Sequence, residues 1–501
     1  MSRDPTGVEH LVKRMSPKRE AGPAYNVSVT AEAPTVQVVI VTWNKEKDVT
    51  RLLEQLKDIN YPEGKYEIAV VDNNSTDDTV QIIESTYPWV RLIKNPQNLG
   101  GAGGFNTGMR WVLENRPESK YMWLLDNDVL VDRNALEELV AVMECSPEAA
   151  MCGSKVMNVA KPSEIIEAGA FIDYDFGQTR SNKPQDDHDS IYQVDYVAAC
   201  SLLVRSESVR RLGLLNESLF IYWDDMEWGA RFKASGYEVL ASAASVVYHP
   251  SWAERTGDTS AIWRRYYRTR NRLWFFSNYT TGAKRRLLLA RIALYSTMFA
   301  LANCIGGDLK ASRAIIRGIE DFLRDAYGKR YFHLPVFGLK DYLSDRMIGS
   351  ICVFLRSVQP DGREEGFVRG LTSKCPGLKI FSIVPNEVEH TWEDLCGNNN
   401  VLSYRRLRGL QLSWTDKLRV LRFLWTKPWK LLVTSPPSYW MGGIRGREVA
   451  IVDFDKGVAV SIEKLKLKDL LRIPFTAMSF LVRVLLFPPA TERLGLSSDG
   501  P

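Results

Sequence analysis

Apolar residues in the first third of the chain alternate between short continuous runs and positions at helical spacing. The continuous runs predict buried strands, and they cover 36–42, 66–72, 90–95 and 121–126. The helically spaced stretches lie between and after them, at 47–58, 79–86 and 101–115. Strands that alternate with helices predict a parallel, doubly wound α/β sheet, in which ligands bind at the carboxyl ends of the strands.

The rest of the chain predicts a helical stretch and a second α/β region. Residues 194–205 have a strand-like pattern, 225–236 have helical spacing, and 258–330 are mainly helical in pattern. Further strand-like runs follow at 351–358, 378–384, 430–437 and 448–454. These runs predict a smaller C-terminal α/β domain that resembles a Rossmann-type half-domain.

Four segments follow from these patterns. We expect a disordered N-terminal extension (1–34), a main α/β domain (35–275), a helical, membrane-associating segment (276–340) and a basic α/β accessory domain (341–501). The first 20 residues are polar without an apolar core, so no signal peptide is expected.

Composition and charge narrow the class of protein. The 501 residues are 45% hydrophobic and 25% charged, which excludes a wholly disordered or collagen-like chain. Seven cysteines form no CxxC pair, which argues against a zinc ribbon and suits a reducing compartment. The net charge of +5 is uneven, because 401–501 hold 17 Lys and Arg against 8 Asp and Glu. This basic end predicts an anionic partner such as a membrane surface, and a solvated basic face is the alternative.

Two apolar stretches, 287–305 and 473–490, come close to the length of a membrane span. Each contains one Arg, and an Arg near the middle of a span costs about 2.5–3.5 kcal/mol. We therefore interpret both as interfacial or core helices. Their basic flanks favour helices that lie in the membrane plane. These flanking residues are Lys284, Arg285, Arg286, Lys464, Lys466, Lys468 and Arg472.

The end of the fourth predicted strand, LLDNDV, contains the first candidate chemical site. Asp126 and Asp128 form a DxD pair, and alternating carboxylates in a loop can bind one hard divalent cation that bridges two phosphates. The Gly-rich segment NPQNLGGAGGFNTG (95–108) follows the third strand and suits a phosphate or sugar at a helix start. Each pattern alone is also typical of an exposed loop or flexible turn.

A later segment, FIYWDDMEWGARF (220–232), places three acids within four positions. Asp224, Asp225 and Glu227 repel one another unless a cation, a proton or a substrate lies between them. Trp223 and Trp228 flank the acids and could stack on the face of an acceptor sugar. The alternative is a solvated helix start, where acids are favourable. His249 follows a strand-like run and could complete a metal site with the DxD pair.

In this order, the four motifs resemble the inverting, GT-A-type glycosyltransferases of family 2. VTWNKEKDVTRLLEQL resembles that family's first strand and helix, VVDNNSTDDT its nucleoside-binding strand end, LLDNDV its metal motif and WDDMEWGARFKASGYEV its catalytic-base segment. The resemblance covers about 36–275. NLGGAGGF, WDDxE, YHP and YYRTRNR are closer still to bacterial galactofuranosyltransferases and rhamnosyltransferases. The implied fold class is α/β: a Rossmann-like nucleotide-sugar-binding domain, then a helical segment and a smaller C-terminal α/β domain.

The resemblance also implies roles for individual residues. The donor-binding residues would be Thr42, Asn44, Asp72, Gly100, Gly101, Gly104, Asp126 and Arg270, the last beside Asn271. Asp126, Asp128 and His249 would bind Mn²⁺ or Mg²⁺. Asp225 would be the general base, and Asp224 and Glu227 would position the acceptor hydroxyls. One departure is Asn127, where many relatives have Asp.

The sequence therefore predicts a metal-dependent inverting glycosyltransferase. It would transfer galactofuranose or rhamnose from a nucleotide sugar to a glycan or polyprenyl-linked glycan acceptor. We expect a cytoplasmic protein, peripheral on the inner face of the cell membrane, that binds no nucleic acid; homo-oligomerisation stays open. One alternative is a non-catalytic scaffold protein for glycan assembly. A nucleotidyltransferase is disfavoured, because TWNKEKD after the first strand is not Gly-rich.

Overall fold

A computed structural model describes most of the chain up to residue 330 and the main elements after it. The described ranges are 33–184, 190–250, 260–305 and 309–330, and, between 350 and 486, the elements named below with 366, 368–370, 373 and 378. The predicted disordered extension, 1–34, therefore lies almost wholly outside the described residues. So do parts of the predicted accessory domain.

Twelve strands are described up to residue 330. They are β1 (Val36–Thr42), β2 (Tyr66–Asp72), β3 (Arg91–Lys94), β4 (Tyr121–Asp126), β5 (Leu130–Val131), β6 (Ala149–Asn158), β7 (Lys161–Glu167), β8 (Ala170–Asp173), β9 (Gln178–Ser181), β10 (Ile191–Gln193), β11 (Ser201–Arg205) and β12 (Glu238–His249). Strands β8 and β9 pair with each other. The other ten form one sheet in the order β10-β12-β6-β11-β4-β1-β2-β3, with β5 beside β12 and β7 beside β6.

The predicted parallel part of this sheet is confirmed. Strands β4, β1, β2 and β3 lie side by side in parallel, and their bounds agree with the predicted strands to within one residue. Beyond these four strands the sheet is mixed, because β11 lies antiparallel to both β4 and β6. Apolar runs indicate burial of a strand but carry no information on its direction.

Helices cover both faces of the sheet. In chain order they are α1 (Glu46–Leu56), α2 (Thr79–Thr86), α3 (Gly100–Asn115), α4 (Ala135–Cys145), α5 (Ser206–Leu212) and α6 (Asp224–Ala234). Alternate β1 residues face opposite sides. Val38 and Ile40 pack in one core with α1 and α4, whereas Val39 packs in the other with α3 and α6. This arrangement leaves the carboxyl edge of β1, β2 and β4 open for a site.

The chain separates into two compact units. The first contains Met1–Arg255, Trp274–Thr280 and Ala326–Lys329, and the second contains Thr256–Leu273, Thr281–Asp325 and Arg330–Pro501. The helical segment expected at 276–340 is therefore grouped largely with the C-terminal region. The four-segment division remains a prediction.

A second sheet lies in the second unit. Its strands are β13 (Ser350–Phe354), β14 (Lys379–Pro385), β15 (Val401–Tyr404), β16 (Leu431–Thr434), β17 (Glu448–Asp453) and β18 (Val458–Lys464), in the order β15-β14-β13-β16-β17-β18. Neighbours are parallel except β17 and β18. Counted within this sheet the order is 3-2-1-4-5-6, which is the order of a Rossmann-type sheet. The predicted C-terminal α/β fold is thus confirmed.

The remaining described helices are α7 (Ser260–Asn278), α8 (Gly282–Ile305), α9 (Leu309–Leu323), α10 (Glu389–Cys396) and α11 (Leu467–Leu486). Helices α8, α9 and α11 pack against one another within the second unit. Among the described residues, one helical stretch, Gly282–Cys304, is long and apolar enough to cross a membrane by length and composition alone; 44% of its most apolar window is buried against protein.

Candidate active site

Three potential metal ligands converge where β4 and β12 end. Asp126 is the last residue of β4, Asp128 follows it, and His249 is the last residue of β12. The Nε2 atom of His249 lies 3.2 Å from Asp128 Oδ1 and 3.8 Å from Asp126 Oδ2. One potential ligand atom of each residue lies within 4.8 Å of the others. The structure therefore brings together the three residues that the sequence analysis selected.

Strand pairing explains how His249 reaches the two aspartates. The short strand β5 follows the DxD pair and lies antiparallel to β12, with Leu130 opposite Tyr248. The residue after Tyr248 consequently lies beside the residues that precede Leu130. His249 is fully buried, and its Nδ1 lies 2.7 Å from the carbonyl oxygen of Pro250. A proton on Nδ1 would donate to this carbonyl, which leaves the Nε2 lone pair facing the carboxylates.

The neighbouring strand ends carry the residues expected to hold a nucleoside. Thr42 and Asp72 are opposite each other at the ends of β1 and β2, and both are buried. Asp72 Oδ2 accepts a hydrogen bond from the Ser75 backbone N–H at 3.0 Å, whereas its buried Oδ1 has no hydrogen-bond partner among the described residues. The Oδ1 atom is therefore an acceptor that suits an N–H or O–H group of a ligand.

Asn44 and Asn127 hold these strand ends together. Asn44 has a left-handed φ of 53°, and its Oδ1 accepts from the Thr76 backbone N–H at 2.7 Å. Asn127, the central residue of the DxD motif, donates from Nδ2 to Thr42 Oγ1 at 2.9 Å. The side-chain amide of Asn127 thus connects the DxD loop to the end of β1. The residue that departs from the family pattern therefore has a structural role.

Two asparagines that sequence reasoning missed also lie at this edge. Asn73 and Asn95 directly follow β2 and β3, and both are buried. Asn73 donates from Nδ2 to the Gly100 carbonyl oxygen, and its Oδ1 accepts from Asn95 Nδ2, both at 2.9 Å. Their position immediately after parallel strands is the signal that could have identified them, since the same rule selected Asp72 and Asp126.

The three expected donor-binding glycines have different surroundings. Gly100 has a φ of +76°, and a Cβ there would collide with the carbonyl oxygen of Phe220. A Cβ at Gly104 would lie 2.6 Å from Val41 Cγ1, so this glycine lets α3 pack closely on β1. A Cβ at Gly101 would lie 3.7 Å from the Asp224 Oδ2 atom. Gly101 therefore borders the acidic pair, whereas packing within the protein already accounts for Gly100 and Gly104.

The acidic pair begins α6 after a strained loop. Phe220, Tyr222 and Trp223 have positive φ angles of 68°, 63° and 70°, which L residues with side chains rarely adopt. Such backbone persists only where the surroundings fix it, and it is concentrated at functional sites. The loop delivers Asp224, which is buried, and Asp225, which is half-buried, to the helix N-terminus.

Burial raises the pKa of both carboxyls. For Asp224 the second cause is the charge of Asp225, and the upward shift of its pKa is the larger of the two. Asp225 Oδ1 accepts from the Met226 backbone N–H at 2.9 Å, and the Ala199 N–H also bonds to this carboxyl. These N–H donors favour the charged form of Asp225. Burial and the neighbouring charge thus raise the pKa of Asp224 more than that of Asp225.

A further buried carboxyl, Glu167, lies near the pair and was missed by sequence reasoning. It is the last residue of β7, is 5% exposed and accepts from Ser181 Oγ at 3.0 Å. Burial raises its pKa to about 7, and the charge of Asp225 adds to the shift. Its neighbours in the sequence, IEAGAF, carry no signal for such a position.

Glu227 does not face an acceptor position. Its Oε1 accepts from Arg231 Nε at 3.0 Å and its Oε2 from Arg231 Nη2 at 2.8 Å, so the pair is bidentate. The Tyr279 hydroxyl also donates to Oε1, at 2.8 Å. Both carboxylate oxygens are thus engaged within the protein. The structure thus shows a structural role for Glu227 on the inner side of α6, and its expected contact with acceptor hydroxyls remains a prediction.

The two tryptophans also pack inward. Trp228 is fully buried, and its indole N–H donates to the Gly213 carbonyl oxygen at 3.0 Å. Trp223 is 6% exposed and its ring contacts Phe275 and Phe276, with centroids 5.2 and 5.5 Å apart. Neither ring presents a free face, so the expected stacking on an acceptor sugar does not fit these side chains. The sequence motif could not show which side of α6 meets the core.

Arg270 and Asn271 lie in the second unit. Arg270 is fully buried, and its guanidinium carbon lies 5.2 and 4.9 Å from the ring centroids of Tyr266 and Tyr267. Its Nε donates to Asn271 Oδ1 at 2.9 Å. The expected contact of Arg270 with the donor diphosphate remains a prediction.

Comparison with known proteins matches part of the first unit to a family. Residues 37–212 match the family model described as glycosyl transferase family 2. The match includes Thr42, Asp72, Asp126 and Asp128 and ends before the acidic pair. The resemblance stated from the motifs is thus confirmed for this domain.

Curated relatives share a limited part of the chain. Galactofuranosyltransferase GlfT2 of Mycobacterium tuberculosis is 24% identical over 250 residues, which are 46% of this chain and 38% of that protein. Poly(ribitol-phosphate) β-N-acetylglucosaminyltransferase TarS of Staphylococcus aureus is 25% identical over 166 residues, 28% of each chain. The chain therefore spans less than half the length of these relatives.

Solved structures with a similar arrangement include GalNAc-T7 with UDP, GalNAc and Mn²⁺. It is 17% identical, with a TM-score of 0.42, and the alignment covers 59% of this chain and 55% of that one. Residues 1–349 of S. aureus TarS in complex with UDP-GlcNAc align at 17% identity with a TM-score of 0.40, over 58% of this chain and 81% of that one.

Proposed function

We propose that this chain, which carries a family 2 glycosyltransferase domain, is a metal-dependent inverting glycosyltransferase. It would transfer galactofuranose or rhamnose from a nucleotide-diphosphate sugar to a hydroxyl of a lipid-linked or cell-surface glycan. The observation that carries the proposal is the convergence of Asp126, Asp128 and His249 at one edge of the sheet. The buried Oδ1 atom of Asp72, which can accept a hydrogen bond from a ligand, lies at the same edge. A carboxyl pair, Asp224 and Asp225, begins the helix that follows.

Asp126, Asp128 and His249 would hold the metal ion. Two carboxylates and an imidazole lone pair that point at one another raise the free energy of the folded protein unless a cation lies between them. These residues therefore fit a divalent metal ion. A bound divalent cation supplies positive charge for the diphosphate leaving group. The two carboxylates suit either Mn²⁺ or Mg²⁺, and because Mg²⁺ demands oxygen ligands, the imidazole makes Mn²⁺ the better candidate of the two.

Asp72 and Thr42 would bind the nucleoside. The unpartnered Oδ1 of Asp72 is buried, so a ligand N–H or O–H that reaches it recovers a hydrogen bond that the free protein lacks. The Ser75 N–H fixes the other carboxylate oxygen and hence the orientation of the group. Thr42 is held by Asn127 on the same edge. Both side chains are therefore positioned before the donor binds.

Asp225 would be the general base. The N–H groups of Met226 and Ala199 favour its charged form, whereas burial and the charge of Asp225 raise the pKa of Asp224 and favour its neutral form. Asp225 takes the proton from the acceptor hydroxyl as that oxygen bonds to the anomeric carbon and the bond from this carbon to the diphosphate breaks. Attack from the face opposite the diphosphate inverts the anomeric centre, and one base suffices.

The galactofuranose donor is supported by the relatives named galactofuranosyltransferase, at 24% identity. The name of TarS specifies N-acetylglucosamine transfer at similar identity, so UDP-N-acetylglucosamine belongs in any donor panel. We propose UDP-galactofuranose as the donor, and dTDP-rhamnose as the second candidate. The acceptor we propose is a glycan on a polyprenyl carrier at the cytoplasmic face of the membrane.

The experiment is to measure nucleoside-diphosphate release from UDP-galactofuranose, dTDP-rhamnose and UDP-N-acetylglucosamine with Mn²⁺. We expect slow hydrolysis of one donor by the wild type and none by the Asp126→Ala/Asp128→Ala variant or with EDTA. Asp58→Ala removes an exposed aspartate away from the site and should act as wild type. If no donor is hydrolysed and none raises the melting temperature, the proposal fails and the scaffold alternative is favoured.

A further inference from the structure

Helices α8 and α11 carry most of the large apolar side chains that are exposed in the described part of the chain. On α8 these are Leu287, Leu294, Tyr295, Met298, Phe299 and Leu301, and on α11 they are Leu471, Phe475, Met478 and Val482. Their exposed fractions run from 38% at Leu301 to 75% at Phe475. Soluble monomers rarely expose apolar residues in such a concentration, and where they do the patch marks an interaction site.

The exposed residues form one stripe along each helix. On α8, Leu287, Leu294, Met298 and Leu301 are spaced by seven, four and three residues. On α11, the spacing of Leu471, Phe475, Met478 and Val482 is four, three and four. Both spacings return to the same face of an α-helix. The two stripes lie on helices more than 160 positions apart in the chain, and the fold packs these helices together.

The opposite faces of both helices are committed to the interior of the second unit. Leu289 and Ile292 of α8 and Ile473 of α11 are buried. The Phe480 ring of α11 stacks on Phe322 of α9, with centroids 5.9 Å apart. Arg472 Nε of α11 also donates to Glu320 Oε1 of α9 at 2.7 Å. Internal packing thus fixes both helices and leaves their stripes facing outward.

The charges around the stripes are almost all positive. Helix α8 contains four basic residues and no acid, and α11 contains three basic residues and one acid, Asp469. Lys284, Arg286 and Arg291 of α8 and Arg483 of α11 are exposed. An apolar stripe with basic residues beside it is typical of helices that lie in the interface of an anionic membrane.

The structure favours helices that lie in the membrane plane over a span. Arg291 lies within the apolar stretch of α8, where a span would place its charge in hydrocarbon. Nearly half of that stretch is also buried against protein, which leaves one face for lipid. Helix α11 contains Pro474 and likewise buries one face against α9.

We propose that the outward stripes of α8 and α11 form a docking face that inserts into the interface of an anionic lipid bilayer. This proposal goes beyond the chemistry of the first unit and does not depend on it. Docking would bring the chain to the membrane surface, where acceptors anchored in lipid are held.

The test is sedimentation of the full chain with vesicles made of equal parts phosphatidylcholine and phosphatidylglycerol. We expect the wild type to pellet, and the Leu294→Glu/Met298→Glu and Phe475→Glu/Met478→Glu variants to bind about tenfold less, because each places two charges on the inserting face. The matched control is Trp89→Glu/Phe176→Glu, which changes two exposed aromatics of the first unit and should bind as wild type. Equal melting temperatures would show that the variants fold.

Three further results bear on the proposal. The Asp126→Ala/Asp128→Ala variant should pellet as wild type, so that loss of activity and loss of docking are separable. Sodium carbonate should release the bound chain, and resistance to it would mean a membrane span and overturn the in-plane proposal. Failure of the wild type to pellet, with a dimer on gel filtration that the stripe variants convert to monomer, would also overturn it and assign the face to self-association.

Discussion

At the residue scale, the site depends on groups that hold the chemically active side chains as much as on those side chains. Asn127 donates to Thr42, the Ser75 N–H fixes Asp72, and Pro250 orients the His249 ring. An aspartate at position 127 would add a third negative charge beside Asp126 and Asp128. The amide keeps the loop in place without that charge.

His249→Ala tests the metal ligands. We expect the Mn²⁺ concentration needed for half-maximal turnover to rise about 10–100-fold, as is usual when the support of a metal site is lost. The preference for Mn²⁺ over Mg²⁺ should also disappear, because oxygen ligands alone would remain. Titration of turnover with each metal measures both effects. An unchanged Mn²⁺ requirement in a variant with wild-type melting temperature would exclude His249 as a ligand.

Sequence reasoning identified the residues of the site that follow strands. Asp72, Asp126 and Asp128 were found because parallel strands end at a common edge. Trp228 and Glu227 pack within the protein, and their predicted contacts with the acceptor remain predictions, because residue identity indicates chemistry but not which side of α6 faces the core. That side is decided by tertiary packing, which the spacing of the motif does not contain.

At the element scale, the contact between the start of α3 and the strained loop before α6 fixes the site. Gly100 allows the loop at Phe220 to approach, and the Ala102 N–H donates to the Phe220 carbonyl oxygen at 3.3 Å. Asn73 holds the Gly100 carbonyl from the other side. The acidic pair follows directly from this loop. A change in how α3 begins should therefore be transmitted to the acids.

Gly100→Ala and Gly64→Ala make a matched pair for this contact. Both glycines have a positive φ, 76° and 74°, but a Cβ at Gly64 meets nothing within 4 Å. Gly64→Ala should lower the free energy of unfolding by about 1–2 kcal/mol, from backbone strain alone. Gly100→Ala should lower the free energy of unfolding by about 1–3 kcal/mol more, because its Cβ would also clash with Phe220. This variant should also have lower turnover. Urea unfolding measures the difference, and equal costs would mean that the loop does not press on α3.

The elements themselves were predicted unevenly. Strands β1 to β4 and helices α1 to α3 agree with the hydrophobic pattern; all but β3, which is only partly buried, are buried over most of their length or along one face. The antiparallel direction of β11 was not predictable, since it follows from pairing with β4 and β6. Strands β15 and β18 were missed; β15 has four residues, too few for a periodic signal.

At the scale of the whole molecule, the candidate active site and the proposed docking face lie in different units. The first unit holds the cluster of Asp126, Asp128 and His249, the strand ends with Thr42 and Asp72, and the acidic pair. The second unit holds the Rossmann-type sheet and the proposed docking face. Charge follows the same division, because the excess of Lys and Arg is at the C-terminal end. Sequence composition alone predicted this asymmetry, whereas the pairing of α8 with α11 required the fold.

Global stability should depend on pH through Glu167. Its folded pKa of about 7 lies above the ordinary value of 4.5, so the folded chain binds more protons between these values. The free energy of unfolding therefore falls as pH rises from about 4.5 to 7. Glu167→Gln stays neutral and should remove a pH dependence on the order of 3 kcal/mol. Denaturant unfolding across this range measures it, and identical pH profiles would contradict the assignment.

The central claim is that the half-buried carboxylate of Asp225 takes the proton from an acceptor hydroxyl beside a metal-bound donor. It is tested most directly by turnover and UDP binding of Asp225→Asn, with Asp224→Asn as the matched variant. We predict that Asp225→Asn lowers turnover by about 10²–10⁴-fold and leaves Mn²⁺-dependent UDP binding nearly unchanged, while Asp224→Asn loses less. If Asp225→Asn keeps more than a tenth of wild-type turnover, Asp225 is not the base and the proposed mechanism is wrong.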